Sequence, residues 1–458
     1  MIEERRDFDP NDWKGFRGIN VKETSGIERK TEIIHGSFRI PEERQLRCPD
    51  ELRIVRQKEG HLFEIPAQFY DVKKEGGCLS GKTAFSADIP AWATESFRLY
   101  YGNERAASPS YRTDLEIKKG QLGPQHYLVE NAYYKLETMP RSGQIWHMWN
   151  KAGANISWHH YEWDQNIGKG GDPCHWAPNC WVAYPDRITH GHEQLHEKRD
   201  PDYFDWHYVF GWEEPETEIV SGPVFFETRR RGVVWPHPEH SSPDIKRDNR
   251  ELIRAEVIYR FYEGSPLIYQ YSKIETLEDI NVFFIRNCQF VFLTHVFTHM
   301  IIAPDRIDIL PTDEGEVAVL RLMGEANLKP YDWVEHSLSN ILPSKPAYYA
   351  YYNDGNGDGF ALFQLSENNT NIYSGKPTYL NHGTILSEVH GWSVYVARTF
   401  SYTNLRWNPE NATFLPKGER YEEENVLMTF RHEELGSTLD FLKKTDTLVK
   451  SQPVFEIT

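Results

Sequence analysis

Tyr127-Leu128-Val129-Glu130-Asn131-Ala132-Tyr133-Tyr134-Lys135-Leu136-Glu137, followed by Arg141-Ser142-Gly143 and then Gln144-Ile145-Trp146-His147-Met148-Trp149, is the stretch that decides the fold class. Its two flanks alternate around a turn that contains glycine, which is the pattern of a β-hairpin. Downstream, Glu218-Ile219-Val220-Ser221-Gly222-Pro223-Val224-Phe225-Phe226-Glu227-Thr228-Arg229, Ala255-Glu256-Val257-Ile258-Tyr259-Arg260-Phe261-Tyr262 and Leu267-Ile268-Tyr269-Gln270-Tyr271-Ser272-Lys273-Ile274 are long strand-rich runs. The texture continues through 282–297, 347–352, 360–365 and 391–399. Together these predict a large antiparallel β-sandwich over residues 116–430.

Upstream, the runs are shorter. Ile33-Ile34-His35-Gly36-Ser37-Phe38, Leu52-Arg53-Ile54-Val55, Leu62-Phe63-Glu64-Ile65-Pro66-Ala67-Gln68-Phe69, Thr83-Ala84-Phe85-Ser86-Ala87-Asp88-Ile89 and Phe97-Arg98-Leu99-Tyr100-Tyr101 are separated by turn residues or charge clusters. They predict a small N-terminal β-barrel within residues 1–115, with 106–112 as its linker. A helical pattern is confined to 433–450, where Leu435, Leu439 and Leu442 recur at helical spacing, so residues 431–458 read as a C-terminal helical appendage. The fold class expected is therefore all-β: a small barrel, a large antiparallel sandwich and a short C-terminal helix.

The 25 Tyr, 24 Phe and 14 Trp, against six Met, support sheets, where rings pack on a pleated surface. A formal charge of −17 repels nucleic-acid phosphates, so nucleic acid is excluded as a partner. Nowhere do about 18 apolar residues run together, so no membrane span is expected. The first residues, Met1-Ile2-Glu3-Glu4-Arg5-Arg6-Asp7, hold no apolar signal core, so the expected location is cytoplasmic, or secreted if a signal has been removed. The five cysteines cannot all pair with one another, which argues against a disulfide framework.

Chemistry-bearing residues crowd into 146–240. Ten of the 19 histidines and nine of the 14 tryptophans fall there, on sequence broken by Gly and Pro. Rings, imidazoles, carboxylates and amides mixed in this way suit a sugar cleft better than a core strand. The bland alternative is a set of long loops whose tryptophans plug the end of the sandwich. Trp163, Trp176 and Trp181 are expected to stack on sugar rings, with Lys169 and Asn179 hydrogen-bonding hydroxyls or a carboxylate. Arg230, within Arg229-Arg230-Arg231, is a further candidate for holding a carboxylate; an exposed basic triplet beside a turn is the bland reading.

Metal patterns are weaker. His192-Glu193-Gln194-Leu195-His196 matches the zinc-protease spacing but lacks amphipathic flanks to hold it on a helix, and Cys174 and Cys180 stand too far apart for the usual zinc pair. Asp354-Gly355-Asn356-Gly357-Asp358-Gly359 opens like a calcium loop, but Leu365 stands where the bidentate Glu belongs, so a hairpin turn is expected. His295 and His299 share one side of an apolar strand, where packing at the core edge outweighs a cleft role. No metal ligand is therefore assigned and no cofactor is expected; a divalent ion, calcium or zinc, is the alternative.

Four stretches carry a family resemblance: Val21-Lys22-Glu23-Thr24-Ser25-Gly26-Ile27-Glu28-Arg29, Glu64-Ile65-Pro66-Ala67-Gln68, Phe85-Ser86-Ala87-Asp88-Ile89-Pro90-Ala91 and Tyr100-Tyr101-Gly102-Asn103. Their order resembles the first two domains of the exo-rhamnogalacturonan lyase and YetA-like proteins. The resemblance implies a RIFT-type β-barrel, then a β-sandwich, and a carbohydrate-active protein acting on uronate-containing glycans. That family's α/α toroid has no counterpart after Lys450.

Elimination at a uronate needs a base for the proton next to the carboxylate, a group that neutralises the carboxylate, and an acid for the leaving oxygen. His175 or His207 is the expected base and Tyr208 the acid, with Arg230, Lys169 or Asn179 holding the carboxylate. The alternatives are a glycoside hydrolase using a carboxylate pair from Glu162, Asp164, Asp172 and Glu213, or a non-catalytic glycan-binding protein. The expected partner is an oligo- or polysaccharide, and the broad flat sheets suit a homo-oligomer.

Overall fold

The computed structural model describes residues 5–41, 46–153, 175–176, 179–183, 204–208, 215–234, 251–293, 296–302, 306–309, 336–337, 348–368, 372–373, 376–377, 384–390, 393–399 and 413–458. Over these residues the chain is nearly all β, in several antiparallel sheets, with one short helix near the C-terminus.

The N-terminal unit wraps two sheets around one core. Arg5–Asp7, His61–Ile65, Leu52–Lys58, Thr94–Tyr101, Gly15–Lys22 and Val454–Ile457 form a six-stranded sheet in that order; Arg29–Pro41, Cys78–Ile89 and Ala67–Glu75 form a three-stranded one. Ile19, Val21, Ile54 and Leu99 from the first meet Ile34, Ile40, Leu79 and Phe85 from the second. The run 62–69 is two strands, not one. Pro66, which has no N–H to give a ladder, stands between His61–Ile65 and Ala67–Glu75, and the chain changes sheets there.

The larger unit is built on a nine-stranded sheet ordered Glu216–Ser221, Phe225–Val233, Ile253–Tyr262, Leu267–Thr276, Arg420–Arg431, Asp358–Asn368, Tyr348–Tyr352, His299–Ile302, Arg306–Ile309. Period-2 burial is clearest at its centre. Ile253, Ala255, Val257, Tyr259 and Phe261 are buried on one face while Arg254, Glu256, Ile258, Arg260 and Tyr262 occupy the other. The buried face packs on Val129, Tyr134, Leu136, Ile145 and Met148 of a four-stranded sheet.

The expected hairpin lies in that four-stranded sheet, with its first run split in two. The run 127–137 is broken into Tyr127–Glu130 and Tyr134–Thr138, and the latter pairs with Ile145–Asn150. Asn131 causes the break: its Oδ1 accepts from the Tyr133 and Tyr134 amides at 2.8 and 3.0 Å, a local turn that competes with a continuous strand. Its Nδ2 donates to the carbonyls of Tyr262 and Ser265, which ties the turn to the large sheet.

The expected turn at 354–359 is present between Tyr348–Tyr352 and Asp358–Asn368. Asn353 Oδ1 takes the Gly355 and Asn356 amides, and Gly357 adopts φ +78°. Leu435–Lys450 is the helix. Its buried stripe is Thr438, Leu442, Thr445 and Val449, packed on Val426, Met428 and Phe430, so two threonines share the apolar face. Their hydroxyls bond the carbonyls of Glu434 and Phe441 one turn back, which removes the cost of burying them. After the helix the chain adds Val454–Ile457 to the edge of the N-terminal six-stranded sheet, beside Gly15–Lys22. The C-terminal segment is thus a helix and a strand that join the two units.

Candidate functional site

The residues expected to carry chemistry fall into three groups. Trp163 and Lys169 lie outside the described residues, as do Glu162, Asp164, Asp172, Glu213, Cys174, the sequence 192–196 and His295. His175, Trp176, Asn179, Trp181, His207 and Tyr208 lie on strands of an eight-stranded sheet, in which His175–Trp176 and Asn179–Ala183 both pair with Ile280–Leu293, and Phe204–Tyr208 flanks Asn179–Ala183. Position 179 is directly opposite 208, and 180 opposite 207. Directly paired positions share a face and successive ones alternate, so 179 and 208 belong to one face and 207 to the other.

Arg230 is the third case. It sits in Phe225–Val233 with its side chain in the interior, 1% exposed, donating to the Ser142 carbonyl at 2.6 Å and to Thr228 Oγ1 at 3.1 Å, with the guanidinium 5.1 Å from the Tyr259 ring centre. Burial holds its pKa down to about 10. The basic triplet does not line one cleft, because strand alternation divides it: Arg229 turns to Asp71 and Glu227, and Arg231 pairs with Glu216 on the exposed side.

Where the N-terminal unit, the large sheet and the C-terminal helix meet, they enclose a cavity of about 680 Å³. The strand Arg29–Pro41 contributes His35, the hairpin of Ile253–Tyr262 and Leu267–Thr276 contributes Arg260, Tyr262 and Tyr269, and the helix contributes Phe441 and Lys444. These side chains converge because Arg260 and Tyr262 occupy the face of their strand opposite the main core, as does Tyr269 on the neighbouring strand, with Arg260 and Tyr269 directly paired. The floor is apolar: Leu267, Val426, Met428 and Val449 line it.

A polar chain crosses one wall. His35 Nδ1 is 3.1 Å from Tyr70 Oη, His35 Nε2 is 3.4 Å from Tyr262 Oη, and Arg260 Nη1 reaches that same hydroxyl at 3.5 Å. Arg260 is fixed from behind by the fully buried Glu227, which also holds Arg229; Arg229 in turn grips Asp71 with both terminal nitrogens at 2.9 and 3.2 Å. The Arg260 guanidinium lies about 5 Å from both the Phe225 and Tyr269 ring centres, at 5.0 and 5.1 Å. Tyr269 donates to Glu424 at 2.8 Å.

The protonation states follow from burial. His35 is held down to about 3, first by burial and then by the charges of Arg260 and Lys82, so it is neutral at physiological pH. Burial pushes Tyr70 up to about 12 and raises Tyr262 as well, so both keep their protons. The wall therefore offers a fixed guanidinium, phenolic hydroxyls and a neutral imidazole, while Lys444 makes no ion pair among the described residues. Such a set can hydrogen-bond hydroxyls; Arg260 is already paired with Glu227, and Glu28 and Glu32 also line the space. It is a poor proton-abstracting set, because an imidazole whose conjugate acid titrates near 3 is a weak base at neutral pH.

Among the described residues no group of three or more His, Cys, Asp or Glu side chains is placed to hold a metal ion. No helix among them is long and apolar enough to cross a membrane. Reading the sequence placed His35, Arg260, Tyr262 and Tyr269 in strands but gave them no role. The available signal was a run of polar and aromatic residues at alternate positions, Arg260, Tyr262 and Tyr269, on a face that the period-2 pattern separates from the core.

No family model matches the chain, and no curated protein matches it. Solved structures do share the fold. An alpha-mannosidase from Enterococcus faecalis V583 aligns over 99% of this chain and 47% of its own, at 10% identity and a TM-score of 0.51. A protein in the glycosyl hydrolase family 38 from Enterococcus faecalis aligns over 99% and 48%, at 11% identity and a TM-score of 0.50. The chain spans about half the length of these structures, and at such identities the likeness is one of fold.

Proposed function

We propose that this chain is a carbohydrate-active protein that holds an acidic sugar residue in the cavity between its two units. The observation that carries this reading is the wall of Arg260, Tyr262, His35 and Tyr269, a fixed cation among protonated hydroxyl and ring groups in a space of about 680 Å³. That volume lies within the range of small-molecule sites, roughly 300–1,000 Å³, and suits one or two pyranose rings. The names of the two fold relatives, a mannosidase and a glycosyl hydrolase family member, agree with sugar as the ligand class. Calorimetric titration with galacturonate and glucuronate tests the reading. Binding that Arg260→Met weakens at least tenfold supports it; equal affinity in the variant refutes it.

The finer proposal is a lyase that cleaves uronate-containing glycans, as in the exo-rhamnogalacturonan lyase and YetA-like family. The direct pairing of positions 179 and 208 on neighbouring strands supports it. The proposed base is His175 or His207. Incubation with rhamnogalacturonan and glucuronate-capped oligosaccharides should raise ultraviolet absorbance from a new unsaturated bond, and either His175→Ala or His207→Ala should abolish the rise. New reducing ends without absorbance mark a hydrolase instead, and neither signal marks a binding protein.

A further inference from the structure

The turn between Cys78–Ile89 and Thr94–Tyr101 presents Trp92 with 69% of its surface exposed. Its φ is +60°, a conformation that bulky L-residues rarely adopt. The turn is held from below by Glu23, which is fully buried. Glu23 Oε2 accepts from the Trp92 amide at 3.3 Å and the Gly26 amide at 2.7 Å, while Oε1 takes the Ser25 amide at 2.8 Å, the Ser25 hydroxyl and Arg29 Nε at 3.3 Å. The indole lies against Gly26, where a Cβ would come within 2.6 Å of Cε2 and Cζ2, so only glycine lets the ring settle there. One side of the ring thus rests on backbone and the other is open.

Core packing does not account for this arrangement, since most of the indole is in solvent. A strained backbone, a buried carboxylate with five donors and a glycine seat together hold a flat aromatic surface outward in a fixed pose. Two residues beyond Gly26, the exposed Glu28 forms an ion pair with Lys30, and both side chains line the cavity. Thr31, also a cavity residue, is at φ +52° with its amide held by Asp88 Oδ1 at 2.8 Å. The same segment, 23–35, therefore carries the indole's seat and one wall of the cavity.

We propose that Trp92 is a sugar-stacking subsite beside the segment that carries one wall of the cavity, taking a pyranose that continues the chain from the residue held inside. The chemistry suits this ligand: the C–H-rich face of a pyranose packs on an indole, and Glu28 and Lys30 offer polar atoms to its hydroxyls. The inference rests on the cavity being a sugar site.

Calorimetric titration with galacturonate monomer, trimer and tetramer tests it, using wild type, Trp92→Ala, Trp92→Phe and Arg260→Met, with circular dichroism to confirm folding. Trp92→Ala is expected to bind monomer as wild type does and to lose about tenfold in affinity for the longer chains, with Trp92→Phe recovering part of that loss. Unchanged oligomer affinity in Trp92→Ala overturns the subsite while leaving the cavity reading intact. Length-dependent loss in Trp92→Ala combined with normal binding by Arg260→Met refutes the cavity reading and, with it, a subsite next to a residue held there. No binding by wild type refutes both. A change of oligomeric state in Trp92→Ala, seen by light scattering without a change in glycan affinity, shows that the indole contacts a second copy of the chain and overturns the proposal.

Discussion

Replacing Arg29 with methionine should loosen the joint between the two units. Arg29 is 1% exposed and its guanidinium reaches four groups: Nε to Glu23, Nη1 to Glu32 at 3.3 Å and to the Leu448 carbonyl at 3.0 Å, and Nη2 to the Ser451 carbonyl. The two carbonyls end the helix Leu435–Lys450 and have no intrahelical partners, so Arg29 serves as its C-terminal cap from another unit. Methionine fills the space without donating. Removing one partner of a buried ion pair costs about 3–5 kcal/mol. Four other donors still hold the Glu23 carboxylate, and the two carbonyl bonds are only partly buried, so the lower end, about 3 kcal/mol, is expected. Urea unfolding followed by circular dichroism measures the loss, and hydrogen exchange should locate it in 435–457. Glu23→Gln combined with Arg29→Met should cost less than the two single losses summed, because the Glu23–Arg29 interaction is lost in both single variants. A loss under about 1 kcal/mol, or full additivity in the double variant, refutes the reasoning.

Three further outcomes are expected. His35, whose pKa falls to about 3 on folding, lets the unfolded chain bind a proton the folded chain refuses; its stability contribution is full above about 6.5 and is lost as pH falls toward 3. His35→Gln should therefore narrow the drop in melting temperature between pH 7 and 4, and a parallel drop counts against burial as the cause. Glu263 is pushed up to about 7 by burial and then by Asp114, so its contribution is full below about 4.5 and is lost as pH rises through 7; Glu263→Gln should gain on wild type in melting temperature from pH 5 to pH 8. Gly222→Ala would place a Cβ 2.4 Å from Gln68 Cδ, and Gln68 is held by the Val224 and Phe225 amides, so a loss of about 1–3 kcal/mol is expected in urea unfolding, eased by Gln68→Ala in the same chain.

Period-2 alternation made the large sheet legible, since each strand buries one face and its apolar residues must recur at alternate positions, as in Ile253–Tyr262. The C-terminal helix was legible for the corresponding reason, although Thr438 and Thr445 on its buried stripe were hidden by their polarity. Two boundaries were missed at Asn131 and Pro66, where side-chain hydrogen bonding and a missing N–H override a pattern that otherwise reads as continuous strand. Arg230 was misleading because three consecutive arginines look like one patch, whereas alternation sends the middle one inward.

By itself the sequence determined what depends on neighbours along the chain: the alternating strands, the glycine- and asparagine-built turn at 353–359 and the class of all-β fold. The tertiary structure alone decided the cavity. His35, Arg260, Tyr269, Phe441 and Gln452 meet there across more than four hundred residues, brought together by strand register and by Val454–Ile457 returning to the edge of the N-terminal sheet. Pairing partners so far apart leave no periodic trace in the chain, because register is set by packing between sheets and not by any local preference.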